Sequence, residues 1–183
     1  MSYKSVNSIE SLYAAAKLVD SELAEVWEER LELIKHKVKF VKYRPSIVVL
    51  ESLLPLKVMG KWVPELVYNA GGEALFNQKE NEAFEISMLE LQNIDADGII
   101  ISLNDKTLTE VRAELEKVIG TEEWQILKSV QKGNVFISEG KSSFHVAGEE
   151  IIETGEMIAE ILQVNQFYYG MEGERWEQWA QKL

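Results

Sequence analysis

Histidine is scarce in this chain, two in 183 residues, so each is a first place to look for chemistry. His145 follows Ser142, Ser143 and Phe144, while His36 is far off in sequence. A neutral imidazole is a good transition-metal ligand. A lone one is as readily a hydrogen-bonded or surface group, and there is no Cys to complete a site. Ser142-Ser143 near His145 places hydroxyls beside a base, yet the sharp G-x-S-x-G turn that exposes a nucleophile is missing. Glu51, Glu65 and Asp105 are candidates for paired acid–base work, but with 31 acidic residues such pairs arise by chance. No phosphate-cradling loop is present, and Gly71-Gly72 lacks the spacing of a dinucleotide fingerprint. The residue types therefore point away from an enzyme, with no cofactor and no dedicated metal site expected.

Three apolar runs must position these groups. Residues 47–50 (Ile-Val-Val-Leu), 98–103 and 135–138 read as strands, and the first two lack alternation, as in strands buried on both faces. Loops 51–59, 104–106 and 140–147 follow them. In an open α/β sheet, loops leaving the strand C-terminal edge converge on ligands. The expected site is therefore Glu51, Trp62, Asn104, Asp105, Phe144 and His145, a few polar groups around large aromatics. Trp62 opens a short helix over 62–70, with Pro64 in its first turn, where the missing N–H costs nothing. Gly71-Gly72 stops that helix. Trp62 either presents its ring to a ligand or anchors the helix entrance in the core.

Before the first strand, Asn7 and Glu10 resemble a helix start. Ile9, Leu12, Ala16, Val19, Leu23, Val26 and Leu33 then keep a helical spacing broken only by Arg30. This predicts a long N-terminal helix to about His36, with a potential break near Asp20-Ser21, packed across a lobe or, alternatively, in a coiled coil. Lys35, Lys37, Lys39, Lys42 and Arg44 form a basic patch near its end. Phe84 and Ile86 read as a short edge strand, and Ser87 as the cap of a brief helix over 88–92. Helices are predicted over 107–119, 122–130 and 148–162. The tail from residue 163 carries Phe167, Tyr168, Tyr169, Trp176 and Trp179, and so is expected to dock.

Helices alternating with strands imply an α/β fold. The expectation is one Rossmann-like three-layer lobe, its sheet mostly parallel with three to five strands and its central strands including Val48 and Ile100. Residues 1–40 form the preceding helix and 41–183 the lobe. An apolar content of 46% is enough for a real core. A net charge of −12 argues against nucleic acid and anionic membrane surfaces. No apolar run is long enough to span a bilayer. Met1–Ser8 has neither the basic start nor the apolar core of a secretory leader, so the chain as written reads as cytoplasmic, or as periplasmic if it is a piece of an exported protein.

Within 50–76, Gly60-Lys61-Trp62-Val63-Pro64-Glu65-Leu66 and Ala70-Gly71-Gly72-Glu73, followed by Leu75-Phe76, resemble a GxWVPEL–AGGE–LF segment. That segment belongs to the cobalamin/siderophore type (class III) of periplasmic substrate-binding proteins serving ABC importers. The resemblance extends over most of the chain from Arg44. Ser52 and Leu54 depart from the family's LEWLDP, and Phe144-His145-Val146-Ala147-Gly148 from its aromatic–Asn–Arg–Pro–Gly run. The resemblance implies a solute-binding lobe, the C-terminal one of two, with the long helix in the place of the interlobe helix. It implies cobalamin or a ferric siderophore as ligand, with Trp62 stacking on a flat macrocycle. It also implies docking to an ABC permease through an acidic residue, here Glu90, next to Leu89 at the expected place. The alternative is a non-transport interaction module that has lost its ligand. A missing N-terminal lobe would leave an apolar face open, so the chain is expected to self-associate.

Overall fold

The computed structural model describes residues 6–76 and 82–179. Two helices open the chain, α1 (Ile9–Lys17) and α2 (Ser21–Val38). A hairpin of β1 (Ser46–Leu53) and β2 (Leu56–Val58) follows, then α3 (Val63–Asn69), β3 (Glu73–Ala74), β4 (Phe84–Glu85) and α4 (Met88–Ile94). Next come β5 (Gly98–Ser102), α5 (Leu108–Glu116), α6 (Glu122–Gln125), α7 (Lys128–Gln131) and β6 (Val135–Ser138). The chain closes with α8 (Glu149–Leu162) and β7 (Trp176–Gln178).

One sheet runs β4-β2-β1-β5-β6-β7, with β3 also on β1. Its centre is parallel: β1 pairs β5, β5 pairs β6, and β3 joins β1 in the same sense. The short strands β2, β4 and β7, outside that centre, are antiparallel. Among the described residues the sheet thus has seven strands, more than the three to five expected, because β2, β3 and β7, of two or three residues each, carry no apolar run to announce them. Loop 51–59 is likewise a β1–β2 hairpin, and the helix expected over 122–130 is two short ones, α6 and α7.

The strand period of two divides the core between two faces. Ile47, Val49 and Ile100 join Leu31, Ile34, Leu66, Ile151 and Ile158 under α1, α2, α3 and α8. Val48, Leu50, Ile99 and Ile101 join Leu91, Val111, Leu115 and Trp124 under α4 to α7. The result is a three-layer α/β sandwich. Each fully buried Leu or Ile contributes about 1.5–3 kcal/mol, so the two clusters supply most of the drive to fold. Gly155 of α8 lets the first cluster close: a Cβ there would lie 2.7 Å from Leu31 Cδ2 and 3.1 Å from Leu66 Cδ2.

The N-terminal segment is two helices rather than one continuous one, and the break falls at Asp20-Ser21, where the sequence allows it. Asp20 ends the continuity by accepting bonds from the Glu22 and Leu23 backbone N–H groups at 3.0 and 3.1 Å, and it caps α2. Lys17 reaches Glu28 at 3.6 Å, so α1 folds back along α2. The stripe changes too. Ile9, Leu12 and Ala16 are buried, but Val19, Leu23, Val26 and Leu33 face solvent. The core face of α2 is Ala24, Trp27, Leu31, Ile34 and Val38. Arg30 fixes that choice. Its guanidinium forks onto Glu156 at 2.9 and 2.8 Å and reaches Glu149 at 2.6 Å, tying α2 to α8. Within the tail, Phe167, Trp176 and Trp179 are buried, whereas Tyr168 is exposed. No described helix is long and apolar enough to cross a membrane.

Candidate functional site

From β1 the chain first builds outward to β2 and β3 on one side. It then crosses to β5 on the other. The loops after β1 and β5 therefore diverge, and the sheet opens a crevice between their C-terminal ends, where α/β folds receive ligands. A cavity of about 320 Å³ sits there, lined among others by Glu51, Lys61, Trp62, Asn104, Phe144 and His145. A second, of about 310 Å³, adjoins it and shares Glu51 and Asn104; Leu54, Lys106, Glu114 and Lys117 also line it. Five of the six residues expected from sequence thus share one cavity. Asp105 lies one residue beyond the lining, and Glu65 is exposed on α3. Sequence reasoning missed Lys61 and Glu82, which no apolar run or motif marks.

Backbone, more than side chains, holds this edge. Gly140 N–H donates to Lys106 O at 2.7 Å, and Asp105 N–H to Gly140 O at 3.2 Å, which laces the loops after β5 and β6 together. The approach is so close that a Cβ at Gly140 would lie 2.0 Å from Leu103 O. Lys61, Asp105 and Phe144 adopt φ of 53°, 58° and 53°. Left-handed backbone is uncommon outside glycine and costs energy there. Three such residues, one in each loop of the crevice, mark it as a place where geometry overrides local preference.

The third loop is also pinned from behind. Glu139 accepts from Lys141 N–H at 2.8 Å, from Ser142 N–H and Oγ at 3.0 Å each, and from Ser143 Oγ. Burial pushes the Glu139 carboxyl up, but these bonds and the Arg175 charge outweigh it and hold it below the usual glutamate range. Arg175 donates to Glu153 at 2.7 Å, Ser142 O at 2.8 Å, Ser143 Oγ at 2.9 Å and Glu139 at 3.3 Å. Ser142 and Ser143 are thus structural hydroxyls, committed to an ionised carboxylate.

His145 is half-buried, with Nε2 at 2.9 Å from Ser102 O. Burial pushes its pKa below the ordinary histidine value, against the pull of that carbonyl and of Glu51. A neutral ring then donates its Nε2 proton to Ser102 and turns Nδ1 into an acceptor. Among the described residues no three His, Asp or Glu side chains gather as a metal-binding group. Trp62 and Phe144 are each only 3% exposed, and Trp62 packs in the α3 core cluster. Trp62 is therefore a helix-entrance anchor whose ring face is not open for stacking, a correction to the macrocycle-stacking role. Lys61 Nζ lies 5.7 Å from that ring. The side chains of Glu51 and Asn104 have no hydrogen-bond partner among the described residues. Glu90 sits on α4, away from the crevice. One of its carboxylate oxygens caps its own helix, accepting from Ser87 N–H and Oγ at 2.7 Å each. Those bonds lower its pKa.

Neither a protein-family model nor a curated protein matches the sequence. Solved structures do. An ABC transporter substrate-binding protein from Listeria monocytogenes EGD-e superposes with TM-score 0.76 at 19% identity, covering 87% of this chain and 66% of that one. S. aureus IsdE complexed with heme superposes with TM-score 0.72 at 17% identity, covering 86% and 66%. The periplasmic vitamin B12 binding protein BtuF of Vibrio cholerae superposes with TM-score 0.66 at 15% identity, covering 87% and 63%. The chain therefore has the Rossmann-like fold found in substrate-binding proteins of ABC transporters, and it spans just under two thirds of the length of these three relatives.

Proposed function

We propose that the chain is a non-enzymatic solute-binding lobe, equivalent to the C-terminal lobe of the two-lobed binding proteins, which takes a metal chelate or corrinoid into the β1–β5 crevice and serves an ABC permease. The observation that carries it is the pair of polar side chains without hydrogen-bond partners among the described residues, Glu51 and Asn104, gathered with the Lys61 ammonium at the switch point of this fold. The charges narrow the ligand. Glu51 and Glu82 face Lys61 in the first cavity, and Lys106 and Lys117 face Glu114 in the second. Such a balance suits a ligand of low net charge, an amide-rimmed corrinoid or a hydroxamate chelate, over a polyanionic catecholate. The cavity gives such a ligand one wall, and a second lobe would supply the other. Permease docking through the exposed oxygen of Glu90 belongs to the same reading.

Cobalamin, haem and ferric hydroxamate or catecholate chelates, titrated against intrinsic Trp fluorescence, test this. Glu51→Gln and Lys61→Ala should each weaken binding of the preferred ligand by roughly tenfold, the cost of one charge-assisted hydrogen bond. Tight binding indifferent to both variants would place the site elsewhere. A second reading, a self-associating module that keeps the fold without the ligand, is favoured by one observation, the solvent-facing apolar residues of α2.

A further inference from the structure

The apolar face of α2 that the core leaves uncovered has a pattern of its own. Leu23, Val26 and Leu33 are 37%, 50% and 52% exposed, and Val19, just before the helix, is 51% exposed. At about 100° per residue, positions 22, 26, 33 and 37 fall within a sector of about 60°. That sector holds exposed Glu22 and Lys37 at its two ends, with Val26 and Leu33 between them. Charge is polarised along the same helix. Glu22, Glu25, Glu28 and Glu29 occupy its first half, and Lys35, His36 and Lys37 its last turn. The helix dipole favours that order, but it gives no reason for valine and leucine in the same outward sector.

A second copy running antiparallel gives one. Val26 and Leu33 lie equally far from the helix midpoint, and so do Glu22 and Lys37. A twofold axis through that midpoint therefore sets Val26 against Leu33 of the second copy, twice, and Glu22 against Lys37 of the second copy, twice. The patch is self-complementary in shape order and in charge, as an isologous contact requires. We infer that α2 is a homodimerisation surface that pairs antiparallel with α2 of a second copy. This rests on the self-association reading above and adds the face, the direction and the register. Arg30, beside the axis, is already satisfied by Glu149 and Glu156. Glu29, on the other side of the midpoint, meets its own copy and loosens the contact.

The test uses the full chain, which has no cysteine of its own. Facing positions in such a pair come within the Cα range of a disulfide, about 4.4–6.8 Å. Val26 and its own copy are separated along the axis by about 10 Å, at 1.5 Å of rise per residue. Under mild oxidant, a mixture of Val26→Cys and Leu33→Cys chains should therefore give a covalent mixed dimer, and neither variant alone should. By sedimentation equilibrium, Glu22→Lys or Lys37→Glu should loosen the dimer roughly tenfold, and the two together should restore it, since each pair forms twice. Glu29→Gln should tighten it about threefold. A chain that stays monomeric at micromolar concentration overturns both this surface and self-association. A dimer that ignores the charge reversals, or that crosslinks through Val26→Cys alone, overturns only this pairing and leaves self-association standing.

Discussion

Asp97, just before β5, and Glu51, near the end of β1, are both carboxylates at the ends of central strands of one sheet, yet their surroundings differ. Asp97 accepts from Tyr43 OH at 2.6 Å, Ser46 Oγ at 2.8 Å and Ser46 N–H at 2.9 Å, with Lys128 at 3.2 Å. The Tyr43 bond, followed by those from Ser46, holds it well below the usual aspartate range. Glu51 faces a cavity with no such partners. One edge of the sheet closes its polar groups on themselves, while the other closes those of the loop after β6 but leaves the side chains of Glu51 and Asn104 without partners among the described residues. The difference separates a part of the sheet held by paired polar groups from one where two polar side chains stand unpaired over a cavity. At the open edge the rigidity lies in the backbone, through Gly140 and three left-handed residues, and in the Glu139–Arg175 network behind it, so Glu51 and Asn104 can stay uncommitted.

The comparison can be broken hardest at Gly140. Gly140→Ala drives a Cβ into the Leu103 carbonyl, and the backbone lacing must give way. Overpacking of this severity costs about 3 kcal/mol or more, and urea denaturation should show it as a large loss of midpoint. Asp97→Ala should cost about 2 kcal/mol, because it removes charge-assisted bonds to partly buried partners. The sign with pH follows from linkage. The folded pKa of Asp97 is depressed, so its contribution is complete above the unfolded value near pH ~4 and fades as pH falls below it. Asp97→Asn should flatten that part of the acid limb. If it does not, the closed edge is not held by this carboxylate.

His145 should give a smaller effect on the open side. Its folded pKa is lowered by burial, so the unfolded chain binds the extra proton. Stability is then complete above about pH 6.5 and declines as pH falls below it. An NMR titration of the His145 ring should give a midpoint below the ordinary histidine value, and a higher one would mean the ring is not buried as described. Smallest of all, Glu51→Gln should leave stability within about 0.5 kcal/mol, as for a surface change, while altering ligand binding. A large loss there would erase the contrast with Asp97.

Much of the closed framework could be read from residues alone. Ile47–Leu50 and Ile99–Ile101 are too apolar to be anything but buried strands, and Ser87 caps the brief helix expected of it. The open edge was legible in outline, since the loops after three strands must meet. Two things escaped. The Trp62 ring could face out or in, and only its packing into the first core cluster decides that it is buried. Likewise α2 has apolar residues on two faces about 100° apart, and periodicity cannot say which one the core takes. The ion pairs of Arg30 with Glu149 and Glu156 settle it, and they join residues more than a hundred positions apart.

The divided flank of β1 has a dynamic consequence. Its first residues pair with β3 and its last with β2, while β5 covers its other side. Segment 59–72, with Lys61 and Trp62, leaves and rejoins the sheet between these two anchors. Local opening of residues 60 and 61, near its start, need break no strand pairing and leaves the buried Trp62, Val63, Leu66 and Val67 in place, so that turn can fluctuate at a free-energy cost well below that of global unfolding. In hydrogen–deuterium exchange, amides of 48–50 and 99–101 should be the slowest, those of 60 and 61 should exchange orders of magnitude sooner, and a ligand in the crevice should slow the second group while leaving the first unchanged.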